Sequence, residues 1–213
     1  MMLEDVGHIH LIKKTVAKAR SLTTFIYTNK FAGHDPQVHQ QAGFGSCWDN
    51  LVHHLLLELF FDGSCCLNLW SLYDKRIELN TTLISKEWED NKWSKEAVGK
   101  KFYNLVVTNE FWHNVLYAIN SFEPLVEVLR RMGSGRPPMG YIYGELVNTK
   151  KEFAFRFENK EEHYLPMWHH IDFRIKLYMM KPLHLAAYYL NPSFYYQNRH
   201  DIENTENIQR CTF

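Results

Sequence analysis

Residues 111–146 read FWHNVLYAINSFEPLVEVLRRMGSGRPPMGYIYGEL, and this stretch decides the fold. Its apolar residues recur at alternating spacings of three and four, which places them in one stripe along a helix. The stripe consists of Trp112, Val115, Ile119, Phe122, Val126 and Leu129. Because such a stripe is typical of a helix that packs against a hydrophobic core, the stretch predicts a helical protein.

Proline and glycine residues divide this stretch. Pro124 lacks a backbone donor and crowds the carbonyl four residues earlier, so we expect either a kink near Asn120 or a new helix capped by Ser121. Residues 133–138, GSGRPP, then end the helix. A second apolar stripe follows, made of Met139, Ile142, Leu146, Phe153 and Phe157. The pattern therefore predicts a helical hairpin with a basic elbow. The basic residues of that elbow are Arg130, Arg131 and Arg136.

The first half of the chain carries further helical patterns. Residues 1–27 predict one amphipathic helix that begins with acidic residues and keeps its basic residues outside. Its inward residues are Ile9, Ile12, Val16, Ala19 and Ile26, and its basic face carries Lys13, Lys14, Lys18 and Arg20. Ser85 is expected to cap a helix that carries both Trp88 and Trp93. Thr108 and Asn109 are expected to cap the helix of the organising stretch.

The second half continues the helical pattern. Residues 159–162 predict a helix start, and Pro166 is placed in the first turn of that helix, where proline is tolerated. The expected inward residues are Leu165, Trp168, Ile171 and Ile175, followed by a stripe of Leu183, Ala186, Ala187 and Leu190. Arg174 is expected to pair with Asp172 or to remain an exposed charge.

Two segments lack this regularity. Residues 31–49 form a predicted loop, and the leucine-rich run that follows is apolar on every side between Leu55 and Phe61. Residues 197–213 are polar and aperiodic, which predicts disorder. We therefore divide the chain into a helical region, 1–196, that contains a divergent segment, 31–70, and a tail, 197–213.

Composition restricts the class of protein. The 213 residues contain 24 Lys plus Arg and 24 Asp plus Glu, so any contact with DNA must come from local basic patches. The four cysteines have no Cys-x-x-Cys spacing, which favours reduced thiols over a disulfide framework or a zinc ribbon. No apolar run approaches the roughly 20 residues of a membrane span, so we expect no membrane contact.

Three groups of side chains suggest metal binding, but none has a convincing ligand pattern. The first group lies in the loop, the second on a helical face, and the third contains adjacent histidines that point about 100° apart on a helix. They are His34, Asp35 and His39; Glu87, Glu89 and Asp90; and His163, His169 and His170. We therefore predict no metal site and no catalytic residue.

Four segments of the chain resemble, in the same order, plant transposases of the hAT (hobo/Activator-type) superfamily. They are MLEDVGHIHLIKKTVAKARSLTTFIYTNK, ISKEWEDNKWSKEAVGKKF, residues 111–146, and HIDFRIKLYMMKPLHLAAYYLNPSFYY. Two departures stand out. Leucines replace the family's Thr-Arg-aromatic run within residues 51–72, and Ile175 stands where the family has a tryptophan after Arg174.

The resemblance implies a fragment of the helical domain that is inserted into an RNase H-like core, after the Cys-x-x-His motif. In the family, three carboxylates hold divalent metal, and the resemblance places these positions outside residues 1–213. The zinc-finger DNA-binding domain and the dimerisation segment are expected outside as well. The expected protein is a catalytically inactive remnant, not an enzyme, with no cofactor. The resemblance implies a nuclear location, and the composition alone a cytoplasmic one.

Two alternatives remain open. In the first alternative, the chain is a domesticated helical module. It binds DNA without sequence specificity through its basic patches, or it binds protein through an exposed apolar seam. The candidate phosphate contacts are Lys13, Lys14, Lys18, Arg20, Arg130, Arg131 and Arg136. In the second, the histidines belong to an unrelated metal-dependent hydrolase.

Overall fold

The computed structural model describes residues 2–32, 65–133, 135, 138–179 and 181–200. These residues are predominantly helical and contain no β-strand, which confirms the predicted mostly α class for the part of the chain described. Residues 31 and 32 belong to a helix, so the loop predicted over residues 31–49 starts later than expected. Residues 33–49 of that loop, the leucine-rich run up to residue 64, and residues 201–213 of the tail lie outside the described residues.

The described helices follow one another in chain order, and residues 33–64, between the second and the third helix, lie outside the described residues. The first eight are α1 (Met2–Gly7), α2 (His10–Ala32), α3 (Cys65–Asp74), α4 (Arg76–Ile84), α5 (Lys86–Asp90), α6 (Lys92–Lys95), α7 (Ala97–Val107) and α8 (Asn109–Met132). A 3-10 turn at Pro138–Gly140 precedes α9 (Ile142–Arg156) and α10 (Glu161–Arg174). A π-helical turn at Ile175–Met179 then leads to α11 (Pro182–Tyr189) and α12 (Pro192–Tyr195).

These helices form two compact units. The central unit consists of residues 10–119, and the terminal unit consists of residues 1–9 together with 120–213. The prediction of one N-terminal helix over residues 1–27 is therefore wrong, because the helix is interrupted between α1 and α2. Gly7, a weak helix former, ends α1, and the amide of His8 donates to the carbonyls of Glu4 and Asp5.

In the central unit, α2 buries a face that differs from the predicted one. Thr15 and Thr23 are buried, while Val16 is only half-buried. The two threonine hydroxyls donate to the carbonyls four residues earlier, at 2.8 and 3.0 Å, so burial leaves neither hydroxyl unpaired. The predicted Ile12, Ala19 and Ile26 are buried as expected.

Three short helices replace the single helix expected after Ser85. The Ser85 hydroxyl accepts the amide of Trp88, which confirms the predicted cap, but Asn91 then caps α6 by accepting the amide of Trp93 at 3.2 Å. The two tryptophans therefore lie on different helices. At Gly99, a side-chain Cβ would lie 1.9 Å from the carbonyl oxygen of Trp93, so the entry into α7 requires glycine.

Helix α8 runs through Pro124 without interruption, and its two halves belong to different units. No new helix starts at Ser121, whose side chain is fully buried. The first four predicted stripe residues, from Trp112 to Phe122, are buried. Beyond Pro124 the prediction is wrong by one position, since Leu125 and Val128 are buried and Leu129 is 51% exposed. Each half buries the face that packs within its own unit.

In the terminal unit, the second half of α8 and α9 run antiparallel. Glu123 pairs with Arg156 at one end, and Arg131 pairs with Glu145 at the other. The stripe of α9 is buried from Leu146 onward, but Met139 is 41% exposed because it lies in the 3-10 turn, ahead of the helix.

Helix α10 begins at Glu161, as expected, but it is rotated relative to the prediction. Its buried residues are Tyr164, Met167 and Ile171, while Leu165 is exposed and Trp168 is half-buried. Pro166 is the sixth residue of the helix rather than part of its first turn. The buried stripe therefore lies one position earlier than predicted in the first half of α10, whereas the predicted Ile171 and Ile175 are both buried.

The expected pair between Arg174 and Asp172 is absent from the described residues. The Arg174 guanidinium instead donates two hydrogen bonds to Asp5, at 2.8 and 3.0 Å, and Asp172 accepts from Lys150. Residues two apart on a helix point in nearly opposite directions, which explains why the expected pair does not form.

Helix α11 also presents a different face from the predicted one. Leu185 and Tyr188 are buried with Phe194, whereas Leu183 and Leu190 are exposed, the latter by 76%. The rings of Tyr188 and Phe194 pack directly on Gly144 of α9, where a Cβ would come within 2.7 Å of either ring. Large aromatic side chains thus make the contact with Gly144 of α9, while the backbone at Ala187 closely approaches Gly140 of the 3-10 turn.

Candidate nucleic-acid interface

A groove lined by lysines lies between α2 and α7 of the central unit. Lys14 and Lys18 lie on the α2 side and Lys101 on the α7 side. The groove has a volume of about 530 Å³ and also contains the polar residues Ser21 and Asn104. Cations therefore line both walls of one groove.

Aromatic contacts position the two walls. Phe25 of α2 stacks on Phe102 of α7 with ring centroids 4.5 Å apart, and Phe102 is the neighbour of Lys101. The indole N–H of Trp112 donates to the carbonyl of Val106 at 2.6 Å, which joins the end of α7 to α8. The backbone that carries Lys101 is thus held by a buried ring on one side and a buried hydrogen bond on the other.

The lysines of the groove are free to bind an external anion. Within the described ranges, no carboxylate oxygen lies within 4.0 Å of the Nζ atoms of Lys14, Lys18 or Lys101. One carboxylate, Glu110, also lines the groove, so the described lining carries three positive charges and one negative charge. All three lysines are exposed, which leaves them hydrated and mobile. The groove therefore carries a net positive charge toward solvent.

Two of the phosphate-contact candidates that the sequence suggested on α2 line this groove. Of the four basic residues predicted on α2, Lys14 and Lys18 line it, while Lys13 and Arg20 are exposed without lining it. Lys101 was missed, although the Lys100-Lys101 pair directly before a buried phenylalanine was a usable signal. What the sequence could not provide was the pairing of α7 with α2.

The elbow arginines have a different environment. Arg130 pairs with Glu127 at 2.8 Å, and Arg131 pairs with both Glu127, at 3.2 Å, and Glu145, at 2.8 Å. The hydrogen bond from Arg131 to Glu145 raises the pKa of the guanidinium. The side chain of Arg136 lies outside the described residues. The two described elbow arginines are therefore largely neutralised by neighbouring carboxylates.

Among the described residues, the candidate metal ligands do not come together. Among the residues that the structure describes, no three His, Cys, Asp or Glu side chains are arranged to hold a metal ion. His163 stacks on Phe157, and the His169 ring bonds the carbonyl of Leu165. The group in the loop and the side chain of Glu87 lie outside the described residues.

No helix in the described part of the chain is long and apolar enough to cross a membrane.

Comparisons with other proteins do not identify the site. The chain matches no protein-family model, no curated protein and no solved structure. The candidate interface therefore depends on the geometry and charge of the groove between α2 and α7.

Proposed function

We propose that this chain is a non-catalytic helical module of the hAT-transposase type that binds the phosphate backbone of nucleic acids through the groove between α2 and α7. The observation that carries the proposal is the placement of Lys14, Lys18 and Lys101 on both walls of one groove without a carboxylate partner among the described residues. The resemblance of four segments to the transposase family supports it from the sequence.

The chemistry of the groove favours phosphate contacts over base recognition. Lysine ammonium groups bind phosphates as point charges and do not present the planar, bidentate pattern with which arginine reads guanine. Such contacts release counterions from the duplex and weaken as salt rises. We therefore expect binding that is independent of sequence and sensitive to salt.

The proposal assigns binding, and not strand cleavage, to residues 1–213. Two-metal phosphoryl transfer requires several carboxylates that converge on paired cations. The family resemblance gives this role to positions that residues 1–213 do not match. A nuclear location is the corresponding proposal for where the module acts.

Binding can be measured by fluorescence anisotropy with a labelled duplex of random sequence at low salt. The test variant combines Lys14→Glu, Lys18→Glu and Lys101→Glu. The control variant combines Lys86→Glu, Lys95→Glu and Lys100→Glu, which are exposed lysines of the same unit that do not line the groove. Both variants change the net charge equally, so they separate position from total charge.

We expect the groove variant to bind at least about tenfold more weakly than the control variant, because three phosphate contacts are lost. Equal losses in both variants would show that total charge alone governs binding and would reject the groove. If the unaltered chain does not bind duplex DNA at all, the nucleic-acid role is rejected. The remaining proposal is then that the chain is an inert remnant of the family.

A further inference from the structure

We propose that a second groove, between α9 and α10 of the terminal unit, binds an acidic amphipathic helix of a partner protein. Among the described residues, this groove shares no lining residue with the lysine groove of the central unit, so the inference does not depend on nucleic-acid binding.

The groove has the dimensions of a helix-binding site. Its volume is about 710 Å³, and it is open to solvent. Along α9 it is lined from Tyr143 to Ala154, and at the helical rise of about 1.5 Å per residue this wall is roughly 17 Å long. A wall of that length accommodates about three turns of a docked helix.

The floor of the groove is apolar. Val147 and Ala154 contribute from α9 and Ile175 from the start of the π-helical turn. Ala154 lets a docked backbone approach closely, in the way that small residues do at helix contacts. On the outer side, Phe155 is 82% exposed and lies one helical turn after Lys151. An apolar stripe on a partner helix therefore has both a floor and a rim to contact.

The charges around the groove select an acidic partner. Lys151 lies on the α9 wall and Lys176 on the opposite wall, and both are exposed. Neither forms an ion pair with a carboxylate in the described ranges. Asp172, the one carboxylate among the described lining residues, accepts a hydrogen bond from Lys150 at each of its two oxygens, at 2.7 and 2.8 Å. The unpaired charges that remain are therefore positive, one on each wall.

The aromatic lining argues against a stacked nucleobase. The ammonium of Lys150 lies 4.6 Å from the centroid of the Trp168 ring, and the Tyr164 ring packs against the same indole at 4.7 Å. The indole N–H donates to the carbonyl of Lys150 at 3.1 Å. Trp168 is thus already occupied by its own protein, so it cannot serve as a stacking platform for nucleic acid. An amphipathic helix requires no free ring face.

A hydroxyl donor completes the site. The phenol of Tyr143 is protonated near neutral pH, as tyrosine ordinarily is, and burial raises its pKa further, with a smaller contribution from the neighbouring Asp172. A glutamate on the docked helix can accept a hydrogen bond from this hydroxyl.

The probe is a labelled synthetic peptide of about three helical turns with leucines at i, i+3, i+4 and i+7 and glutamates on both sides of that stripe. Two control peptides isolate the two features. One has the same composition in an order that breaks the apolar stripe, and the other carries lysine in place of each glutamate. We expect the full-length chain to bind the first peptide at least about tenfold more tightly than either control.

Variants of the chain test the location. Lys151→Glu with Lys176→Glu reverses the two free cations, and Ala154→Phe fills the floor without changing any charge. The control is Lys181→Glu, an exposed lysine of the same unit at the N-cap of α11, where the helix dipole favours an acidic residue. Circular dichroism verifies that each variant is folded. We expect both test variants to weaken peptide binding by about tenfold or more and the control to leave it unchanged.

The outcomes are decisive in either direction. Equal binding of all three peptides, or loss of binding in the Lys181→Glu control, overturns the proposal. Displacement of the peptide by duplex DNA, with the same sensitivity to Lys151→Glu and Lys176→Glu, assigns the groove to nucleic acid instead. Concentration-dependent dimerisation that Ala154→Phe abolishes assigns it to a second copy of the chain. The variants that test the lysine groove change other residues. A failure of peptide binding at the second groove therefore leaves the proposed nucleic-acid function untouched.

Discussion

The lysine groove of the central unit and the arginine elbow of the terminal unit look alike in the sequence but differ in the structure. Each is a short cluster of basic residues on a helix. In the groove, Lys14, Lys18 and Lys101 face solvent without carboxylate partners in the described residues, whereas Arg130 and Arg131 are held by glutamates. The number of cations in a segment therefore does not tell how many are available to a ligand.

The partners of the elbow arginines come from two sources. Glu127 lies three and four residues before them on α8, a spacing that can be read directly from the sequence. Glu145 comes from α9 and reaches Arg131 only because the hairpin folds antiparallel. One neutralising contact was predictable, and the other required the tertiary structure.

The largest expected effect compares one glycine from each region. Gly99→Ala places a Cβ 1.9 Å from the Trp93 carbonyl oxygen, at the start of the helix that carries Lys101. Gly133→Ala, at the elbow, meets nothing closer than 3.5 Å. We expect Gly99→Ala to destabilise the protein by about 3 kcal/mol or more and Gly133→Ala by less than about 1 kcal/mol, as measured by urea unfolding.

Nucleic-acid affinity provides a second check on the same pair of variants. If the strain at Gly99 displaces α7, Gly99→Ala also loses the contribution of Lys101 to DNA binding, while Gly133→Ala binds normally. Equal stability of the two variants would show that the entry into α7 adjusts without cost and that the wall of the groove is less constrained than the structure indicates.

A second prediction concerns salt. Each lysine–phosphate contact with duplex DNA contributes about 0.9 to the slope of log K against log salt. The salt dependence of DNA binding should therefore become shallower, by about 2.7 in the magnitude of that slope, in the variant that combines Lys14→Glu, Lys18→Glu and Lys101→Glu. Replacing Arg130 and Arg131 with glutamine should leave the slope nearly unchanged, because their charges are already offset. A slope that falls equally in both variants would abolish the distinction between the two regions.

A third prediction removes carboxylate partners from the elbow arginines. Glu127→Gln with Glu145→Gln removes the carboxylates that hold both arginines. Because Glu145 is buried, we expect a loss of about 1 to 2 kcal/mol in the free energy of unfolding, together with about threefold tighter binding of duplex DNA. Stability and binding should thus move in opposite directions. Unchanged DNA affinity would mean that the arginines remain unavailable for another reason.

The sequence predicts the local features of each helix but not the contacts between helices. The helical class, the cap at Ser85 and the start of α10 follow from local patterns, because capping and periodicity are local. The buried faces beyond Pro124 and on α11 were misplaced, because the pattern shows a helix but not the unit against which it packs. For the same reason Lys14 and Lys18 were found, and Lys101 was not.

The smallest expected effect concerns a third kind of charge, a pair that joins distant parts of the terminal unit. The hydrogen bonds from Arg174 lower the pKa of Asp5 below its ordinary value, so the pair stabilises the folded state above the unfolded pKa of about 4 and loses that contribution as the pH falls through the depressed value. Asp5→Asn should therefore lower Tm by about 2 °C or less at pH 6, since partly exposed pairs contribute little. The difference between Asp5→Asn and the unaltered chain should vanish in thermal scans at pH values below the depressed pKa of Asp5, where the carboxyl is protonated in both states. A difference that persists at low pH would show that Asp5 acts through packing, and the contrast between free and paired charges would then not extend to α1.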